Sequence, residues 1–184
     1  DQDCANHIAA WMTALVWLSH DVSASYSQLT SSSFPILPHC AFVTDKANRH
    51  IPPDTVVDRD SIYFLAENLY HEALHLELSA TLLLTDVVSD SYESSEARRI
   101  QIPWRGQSWE PDRIVHAAYV YANILRLRIK AVRAGVIEPG LGESAMETGL
   151  GALKYLSSKL DNCGEMFTDQ GKDLLLDIKR PSQQ

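Results

Sequence analysis

The sequence predicts a mainly α-helical protein with minor β-structure, folded as a single domain over residues 1–184. A chain of 184 residues is long enough for one domain with a substantial core. Two long stretches without Pro or Gly are rich in apolar residues, one from about Ser61 to Val88 and one from about Asp112 to Ala134. We expect these two stretches to be helices that pack on each other.

The N-terminal third is predicted to contain a helix, a loop, a short strand and a connector. Residues 4–22 carry apolar side chains at helical spacing and predict a helix. Residues 23–35 are rich in serine and predict a loop. Residues 40–45, CAFVTD, predict a strand, and residues 46–60 predict a connector that a Pro-Pro pair interrupts.

The later elements are predicted from helix caps and from Pro and Gly. Asp58 or Asp60 can cap the first long helix, because aspartate accepts hydrogen bonds from unpaired backbone N–H groups. Residues 89–112 are polar, contain Pro and Gly, and predict irregular structure. Residues 144–161 predict a further helix, and Thr168 can cap a last one with the sequence DQGKDLLLDIKR.

The composition excludes several classes of partner. The net charge is −8 and no basic run is longer than Arg98-Arg99, so no nucleic-acid or anionic-membrane partner is expected. No apolar run reaches the roughly 18 residues of a membrane-spanning helix. Three irregularly spaced cysteines predict a reducing, cytoplasmic setting. Because the sequence begins with Asp1, we expect a trimmed N-terminus or a piece of a longer chain.

A candidate metal site lies in the apolar stretch LAENLYHEALHLELSATLLL, residues 65–84. His71, Glu72 and His75 form an H-E-x-x-H pattern there. Residues at positions i and i+4 lie on one face of a helix, so both imidazoles can reach one ion. Imidazole suits Zn, Fe and Ni, and Glu72 can face the same pocket as an acid, a base or a partner of a ligand.

The alternative is that these side chains belong to an ordinary protein core or surface. Two histidines and a glutamate buried together would then need several hydrogen-bond partners. Each missing partner costs about 1–3 kcal/mol. A metal ion satisfies the imidazoles more simply, and the metal interpretation is therefore favoured.

A metal site needs more ligands than this motif supplies. The extended metzincin motif requires Gly and His where this chain has Leu78 and Thr81. The second E-x-x-H of a ferritin-like di-iron site is absent from the sequence. The second long helix has no glutamate, but it carries His116 on an apolar face. His116 is therefore the best third ligand, and His50 is the second choice.

Four segments follow one another in a specific order. They are the strand CAFVTD, the Leu-rich helix with the motif, the stretch PWRGQSWEPDRIVHAAYVYANIL and the closing stretch FTDQGKDLL. In this order, over about residues 40–176, they resemble the HExxH-motif peptide-modification proteins of bacterial peptide natural-product clusters. Members of that family are iron- and 2-oxoglutarate-dependent peptide β-hydroxylases.

The resemblance implies roles for five residues. His71, His75 and His116 would bind Fe(II), with 2-oxoglutarate as the cosubstrate. Arg105 or Arg113 would hold a carboxylate of 2-oxoglutarate, because a guanidinium group matches a carboxylate at two points. The implied reaction hydroxylates a Cβ of a residue in a ribosomally made precursor peptide.

Two other functions stay open at this point. In a zinc metallopeptidase, His71 and His75 would bind Zn, and Glu72 would activate water as a general base. The motif alone favours that function, whereas the missing metzincin continuation and the missing downstream glutamate oppose it. The third possibility is a non-catalytic peptide-binding module with a vestigial site. The sequence leaves open the substrate peptide, the modified residue and the oligomeric state.

Overall fold

The computed structural model describes residues 1–19, 30–52, 55–89, 92 and 99–180. Most of its regular structure is helical, which confirms the predicted mainly α class with minor β-structure. The helices are α1 (Gln2–Trp11), α2 (Ile62–Leu84), α3 (Pro111–Arg133), α4 (Pro139–Asp161) and α5 (Asp169–Lys179). The strands are β1 (Ala14–Leu18), β2 (Ser31–Ser33), β3 (Cys40–Thr44), β4 (His50–Ile51), β5 (Thr55–Val56), β6 (Ile100–Ile102) and β7 (Gln107–Trp109). None of the described helices combines the length and the apolar composition that crossing a bilayer requires.

A three-stranded sheet has the order β1-β3-β2. The helix predicted over residues 4–22 is correct only for α1, and the prediction is wrong at β1, which pairs in parallel with β3. The sequence of β1, ALVWL, contains β-branched and aromatic residues that favour strands, and pairing with β3 outweighs their helical spacing. Residues 20–22 lie outside the described part of the chain. The strand predicted at residues 40–45 is confirmed as β3.

Two segments that were predicted as loop and connector contain further strands. β2 pairs antiparallel with β3, so the loop predicted over residues 23–35 is wrong at β2, and residues 23–29 lie outside the described part. Serine has no strong preference for strands, and hydrogen bonding to β3 decides this conformation. Within the predicted connector, residues 46–60, β4 and β5 form a short antiparallel hairpin.

The cap of α2 differs from the predicted one. The Ser61 hydroxyl accepts a hydrogen bond from the Tyr63 backbone N–H at 3.2 Å, so Ser61 is the N-cap instead of Asp58 or Asp60. Asp60 accepts a hydrogen bond from Arg49 Nε at 2.5 Å, outside the helix. Serine is as good a cap as aspartate, and here it stands directly before the first helical residue.

The last helix packs against the segment that follows α2. α2 ends before the predicted Val88, which instead forms an antiparallel bridge with Phe167. Thr168 caps α5 as predicted, and its hydroxyl accepts a hydrogen bond from the Gly171 N–H at 3.0 Å. A Cβ on Gly171 would lie 2.2 Å from the Val87 carbonyl oxygen, so this close approach requires glycine.

The segment predicted as irregular, residues 89–112, contains an antiparallel hairpin of β6 and β7. The prediction is wrong for these strands, while residues 90, 91 and 93–98 lie outside the described part. In the turn of the hairpin, Trp104 packs edge-on against Tyr121 of α3 and Tyr155 of α4. These aromatic contacts hold the hairpin against α3 and α4. They join residues far apart in sequence, so local sequence patterns do not indicate the hairpin.

α3 and α4 form much of the core. α3 matches its predicted bounds, Asp112–Ala134, to within one residue at each end. α4 begins at Pro139 and not at residue 144, and a proline in the first turn suits a helix start because its missing N–H needs no partner there. The fully buried apolar residues between them include Ile114, Val115, Ala118, Leu156 and Leu160.

A buried ion pair joins the two long helices. The exposed fractions of Arg128 on α3 and Glu67 on α2 are 1% and 0%, and Arg128 Nη2 lies 2.5 Å from Glu67 Oε1. Arg128 also donates to the carbonyl oxygens of Ala145 in α4 and of Pro52 after β4. The Tyr63 hydroxyl donates to the other Glu67 oxygen at 2.8 Å. One charge pair therefore holds four parts of the chain together.

Replacing Arg128 with methionine should destabilise the protein by about 3–5 kcal/mol, because Glu67 would be left as an unpaired buried charge. Urea unfolding followed by circular dichroism measures the change. The matched control is Arg59→Met, since Arg59 forms an ion pair with Glu138 whose side chains are 58% and 65% exposed. That exposed pair should contribute less than about 1 kcal/mol. Equal effects of the two substitutions would contradict the importance of the buried pair.

Candidate metal centre

α2 presents His71 and His75 on one face, one helical turn apart. Their Nε2 atoms are 3.2 Å apart, and their ring centroids are 4.8 Å apart with an interplanar angle of 65°. With metal–nitrogen bonds of about 2.1 Å, two nitrogens at this separation subtend roughly 100° at a common ion, between the octahedral and tetrahedral angles. The two imidazoles therefore fit one shared ion.

His71 has a second feature that an ordinary core histidine lacks. Its Nδ1 atom is buried and has no hydrogen-bond partner among the described residues. Buried polar atoms in proteins nearly always have a partner, and a missing one costs about 1–3 kcal/mol. A group from outside the described chain, such as a water molecule or a cosubstrate, would satisfy this nitrogen. Nε2 of His7 and Nε1 of Trp104 are likewise buried without a partner among the described residues, and of these three residues His71 is the one that lines the cavity described below.

α3 brings His116 beside His75. The two rings are stacked, with centroids 6.0 Å apart and an interplanar angle of 18°. All three histidines line the same two cavities. Within the described ranges, no three His, Cys, Asp or Glu side chains are already arranged around a common metal position. His116 as the third ligand stays a prediction, and it would require the His116 side chain to turn towards the other two.

The surroundings keep these histidines neutral. Burial, and to a smaller extent nearby positive charge such as that of Arg105, lowers the pKa of His71 to about 4. Burial lowers the pKa of His75 to about 3. Burial also lowers the pKa of His116, against the opposing effect of Asp112. Near neutral pH the imidazoles therefore carry no charge, which is the form that binds metal ions.

Glu72 is buried and accepts hydrogen bonds from β2. It is 4% exposed, and its two carboxylate oxygens accept hydrogen bonds from the hydroxyls of Ser31 at 2.6 Å and Ser33 at 2.7 Å. Ser31 and Ser33 are alternate residues of one strand, so they project to the same face. Glu72 lines the cavities together with the histidines, but both of its oxygens already have partners.

The larger cavity has a volume of about 450 Å³, within the range of small-molecule sites. Arg105, in the β6–β7 turn, and Arg113, in the first turn of α3, both line it. The guanidinium carbon of Arg113 lies 4.4 Å from the centre of the Trp109 ring. Glu72 is the only acidic residue among the described residues of its lining. This cavity is therefore basic, although the chain as a whole has a net charge of −8.

His50, the second-choice ligand, lines the same cavity but has a different partner. Its Nδ1 lies 3.3 Å from Asn68 Oδ1. The Asn68 side chain in turn donates to the backbone carbonyl oxygens of Ala47 and His50. This network fixes the β4 segment against α2. His50 therefore lies at the wall of the cavity, where its Nδ1 contacts the side-chain amide of Asn68.

Several residues of the site were not among the predicted ones. The most informative are Ser31 and Ser33, because they position Glu72. The Ser-x-Ser alternation is the only sequence feature that could have indicated them, and it is weak within a serine-rich stretch. Gln107 and Trp109 also line the larger cavity, and they were missed because the β6–β7 hairpin was not predicted.

No protein-family model matches the chain, and no curated protein is significantly similar to it. The resemblance to HExxH peptide β-hydroxylases therefore stays a prediction. The geometry around His71 and His75 is the main ground for a functional proposal.

The metal-free protein should lose stability as the pH falls from about 6.5 towards 4. The folded-state pKa values of His71 and His75 lie below the ordinary value, so the unfolded chain binds more protons in this range. The free energy of unfolding should therefore rise with pH across the same window. Urea unfolding in the presence of a chelator, at a series of pH values, measures this slope.

His75→Asn should flatten that slope, because it removes one group that resists protonation. His39→Asn is the control, since His39 is exposed and its positive φ of 59° tolerates asparagine. A wild-type slope of the opposite sign would contradict the assignment of neutral buried histidines.

Proposed function

We propose that this chain is a non-haem Fe(II)- and 2-oxoglutarate-dependent oxygenase that hydroxylates a Cβ of a residue in a ribosomally made precursor peptide. The observation that carries the proposal is a pair of imidazole nitrogens 3.2 Å apart at the wall of a cavity that also bears two arginines. An ion held by His71 and His75 would adjoin this basic cavity, which suits a cosubstrate with two carboxylates.

The histidines would supply a neutral set of ligands. His71, His75 and a turned His116 would hold the ion from one side and leave positions open for other ligands. Bound Fe(II) would supply the chemistry by which 2-oxoglutarate, O₂ and a C–H bond give succinate, CO₂ and a C–OH group. The task of the chain is to hold cosubstrate and substrate in the orientation that this reaction needs.

The two arginines support an anionic cosubstrate. Stacking on Trp109 restrains the Arg113 guanidinium and leaves its N–H edge available in the plane of the group. Arg105 is exposed in a hairpin turn, so it can adjust to a ligand. The one acidic side chain in the described lining, Glu72, is occupied by two serine hydroxyls. The two arginines of the larger cavity therefore suit a dicarboxylate that binds beside the ion.

A zinc metallopeptidase is the second candidate, and the H-E-x-x-H motif on a helix favours it. In that enzyme Glu72 would take a proton from water. Ser31 and Ser33 place one hydroxyl on each Glu72 oxygen, and each oxygen keeps a further lone pair, so these contacts hold the carboxylate in place and leave it able to act as a base. A non-catalytic binding module is the third candidate, and the orphaned buried Nδ1 of His71 favours a ligand-binding site over a vestigial one.

The protein should form succinate from 2-oxoglutarate only when Fe(II) and O₂ are supplied, and a precursor peptide should gain the mass of one oxygen atom. His71→Ala and His75→Ala should each lower this activity at least about 100-fold, because each removes an ion ligand. His39→Asn should not change it. Succinate quantification and peptide mass spectrometry provide the measurements. Succinate formation without added Fe(II) in chelator-treated protein would contradict the proposal.

Glu72→Gln separates the oxygenase from the peptidase. A peptidase would lose its general base and several orders of magnitude in rate. In the oxygenase Glu72 is not a ligand, so iron binding should survive and the activity should fall less. Cleavage of a peptide bond that requires Glu72 and does not require 2-oxoglutarate would support the peptidase instead.

Arg105→Ala should raise the apparent 2-oxoglutarate constant about tenfold while iron still binds, because a charge-assisted contact is lost. Steady-state succinate formation at varied 2-oxoglutarate measures the constant. Arg59→Ala, at an arginine outside the cavity lining, is the matched control. If Arg113→Ala raises the constant and Arg105→Ala does not, the contact belongs to Arg113. If neither does, the basic cavity is not the cosubstrate site.

A further inference from the structure

A second, smaller cavity of about 310 Å³ adjoins the same histidines. Five of the described residues line both cavities, namely Ser31, His71, Glu72, His75 and His116. The other residues of the smaller cavity are Ser32, Ser33, Pro35, Leu76 and Ser79. The candidate ion position therefore lies at the wall where the two adjoining cavities meet. Such a wall is what a reaction between two bound molecules requires.

The two cavities differ in charge. The larger one has Arg105 and Arg113 in its lining, and the described residues found only in the smaller one carry no charge. An anionic cosubstrate therefore belongs in the larger cavity, which leaves the smaller one for the group that is oxidised. Glu72 lines both cavities, and only the larger one has arginines in its described lining to offset the repulsion between this carboxylate and an acidic group.

Four of the ten described residues that line the smaller cavity are serines. Ser31 and Ser33 each donate their hydroxyl hydrogen to Glu72, so the lone pairs of their oxygens remain as acceptors. Ser79 lies one turn beyond His75 on α2, and its hydroxyl can donate or accept. The Ser31 and Ser33 oxygens can accept hydrogen bonds from N–H groups, and the Ser79 hydroxyl can donate to a carbonyl oxygen. Together they match a group that has both N–H donors and a carbonyl oxygen.

The size of the smaller cavity limits its occupant. Its volume is at the lower end of the roughly 300–1,000 Å³ that small-molecule sites occupy. A single side chain fits this space better than a folded segment of peptide. We propose that the smaller cavity receives the side chain of the residue to be hydroxylated and selects a short uncharged carboxamide, as in asparagine.

This inference rests on the proposed oxygenase function, but its test needs neither iron nor turnover. The probes are the N-acetyl dimethylamides of asparagine, aspartate and leucine, which have no terminal carboxamide N–H, at millimolar concentration with metal-free protein. Saturation-transfer NMR measures which probe binds. The asparagine probe should bind, whereas the aspartate probe should be rejected by Glu72 and the leucine probe should lack partners for the serine hydroxyls.

Ser79→Leu tests the location of the binding. Ser79 belongs to the described lining of the smaller cavity and not to that of the larger one, so a leucine there should weaken binding of the asparagine probe at least about tenfold. Binding of 2-oxoglutarate should stay unchanged. Ser144→Leu, at an exposed position of α4, is the matched control. If Ser79→Leu does not fold, Ser79→Val places a smaller block at the same position.

Each result bears on the inference separately from the proposed function. Equal binding of the leucine or aspartate probe, or no binding of any probe, overturns the carboxamide pocket. Asparagine-probe binding that survives a folded Ser79 variant overturns its location. The oxygenase proposal fails if no Fe(II)-dependent succinate formation is found. The probe measurement uses metal-free protein, so its result is independent of that assay.

Discussion

The buried pair of Glu67 and Arg128 is the contact on which the rest of the site depends. Removing two charges from water costs several kcal/mol for each ion, and only good geometry and further hydrogen bonds offset that cost. Here Arg128 donates to both Glu67 oxygens and to two backbone carbonyls, and Tyr63 satisfies Glu67 further. Gly149 lets α4 come close enough to join, since a Cβ there would lie 3.2 Å from Arg128 Nη1. His71 follows Glu67 by one helical turn on α2. The ion pair therefore also fixes the position along the helix axis, and the orientation about it, of the face that carries His71 and His75.

The same face of α2 explains why an apolar helix carries buried polar residues. Asn68 donates to the backbone of the β4 region, and Glu72 accepts from the serines of β2. Each polar side chain thus attaches one separate segment of the chain to α2. Of the three buried side-chain polar atoms without a partner among the described residues, Nδ1 of His71 is the one that lies on α2. Asn68 and Glu72 of α2 are therefore hydrogen-bonded to neighbouring segments, whereas His71, at the proposed ligand site, has one ring nitrogen without a partner.

Local patterns predicted the long helices and β3, but they missed most of the strands. The absence of Pro and Gly, the i, i+4 histidines and the Thr168 cap are short-range features, and the elements they predicted are present. β1 forms only because it pairs with β3, and β2 only because the serines meet both β3 and Glu72. Such contacts join residues far apart in sequence, so no local pattern contains them. For the same reason the sequence indicated the histidines but not the hydrogen bonds from Ser31 and Ser33 to Glu72. It also did not indicate the β6–β7 hairpin, which places Arg105 at the cavity.

The central claim is that His71 and His75 hold an iron ion beside a cavity for 2-oxoglutarate. Anaerobic equilibrium dialysis of Fe(II), with and without 2-oxoglutarate, tests it most directly, because two ligands that bind in contact must alter each other's affinity reciprocally. The account predicts one Fe(II) per chain, tighter binding when 2-oxoglutarate is present, and loss of both effects in His71→Ala. Fe(II) binding that 2-oxoglutarate leaves unchanged, or that survives His71→Ala, would contradict it.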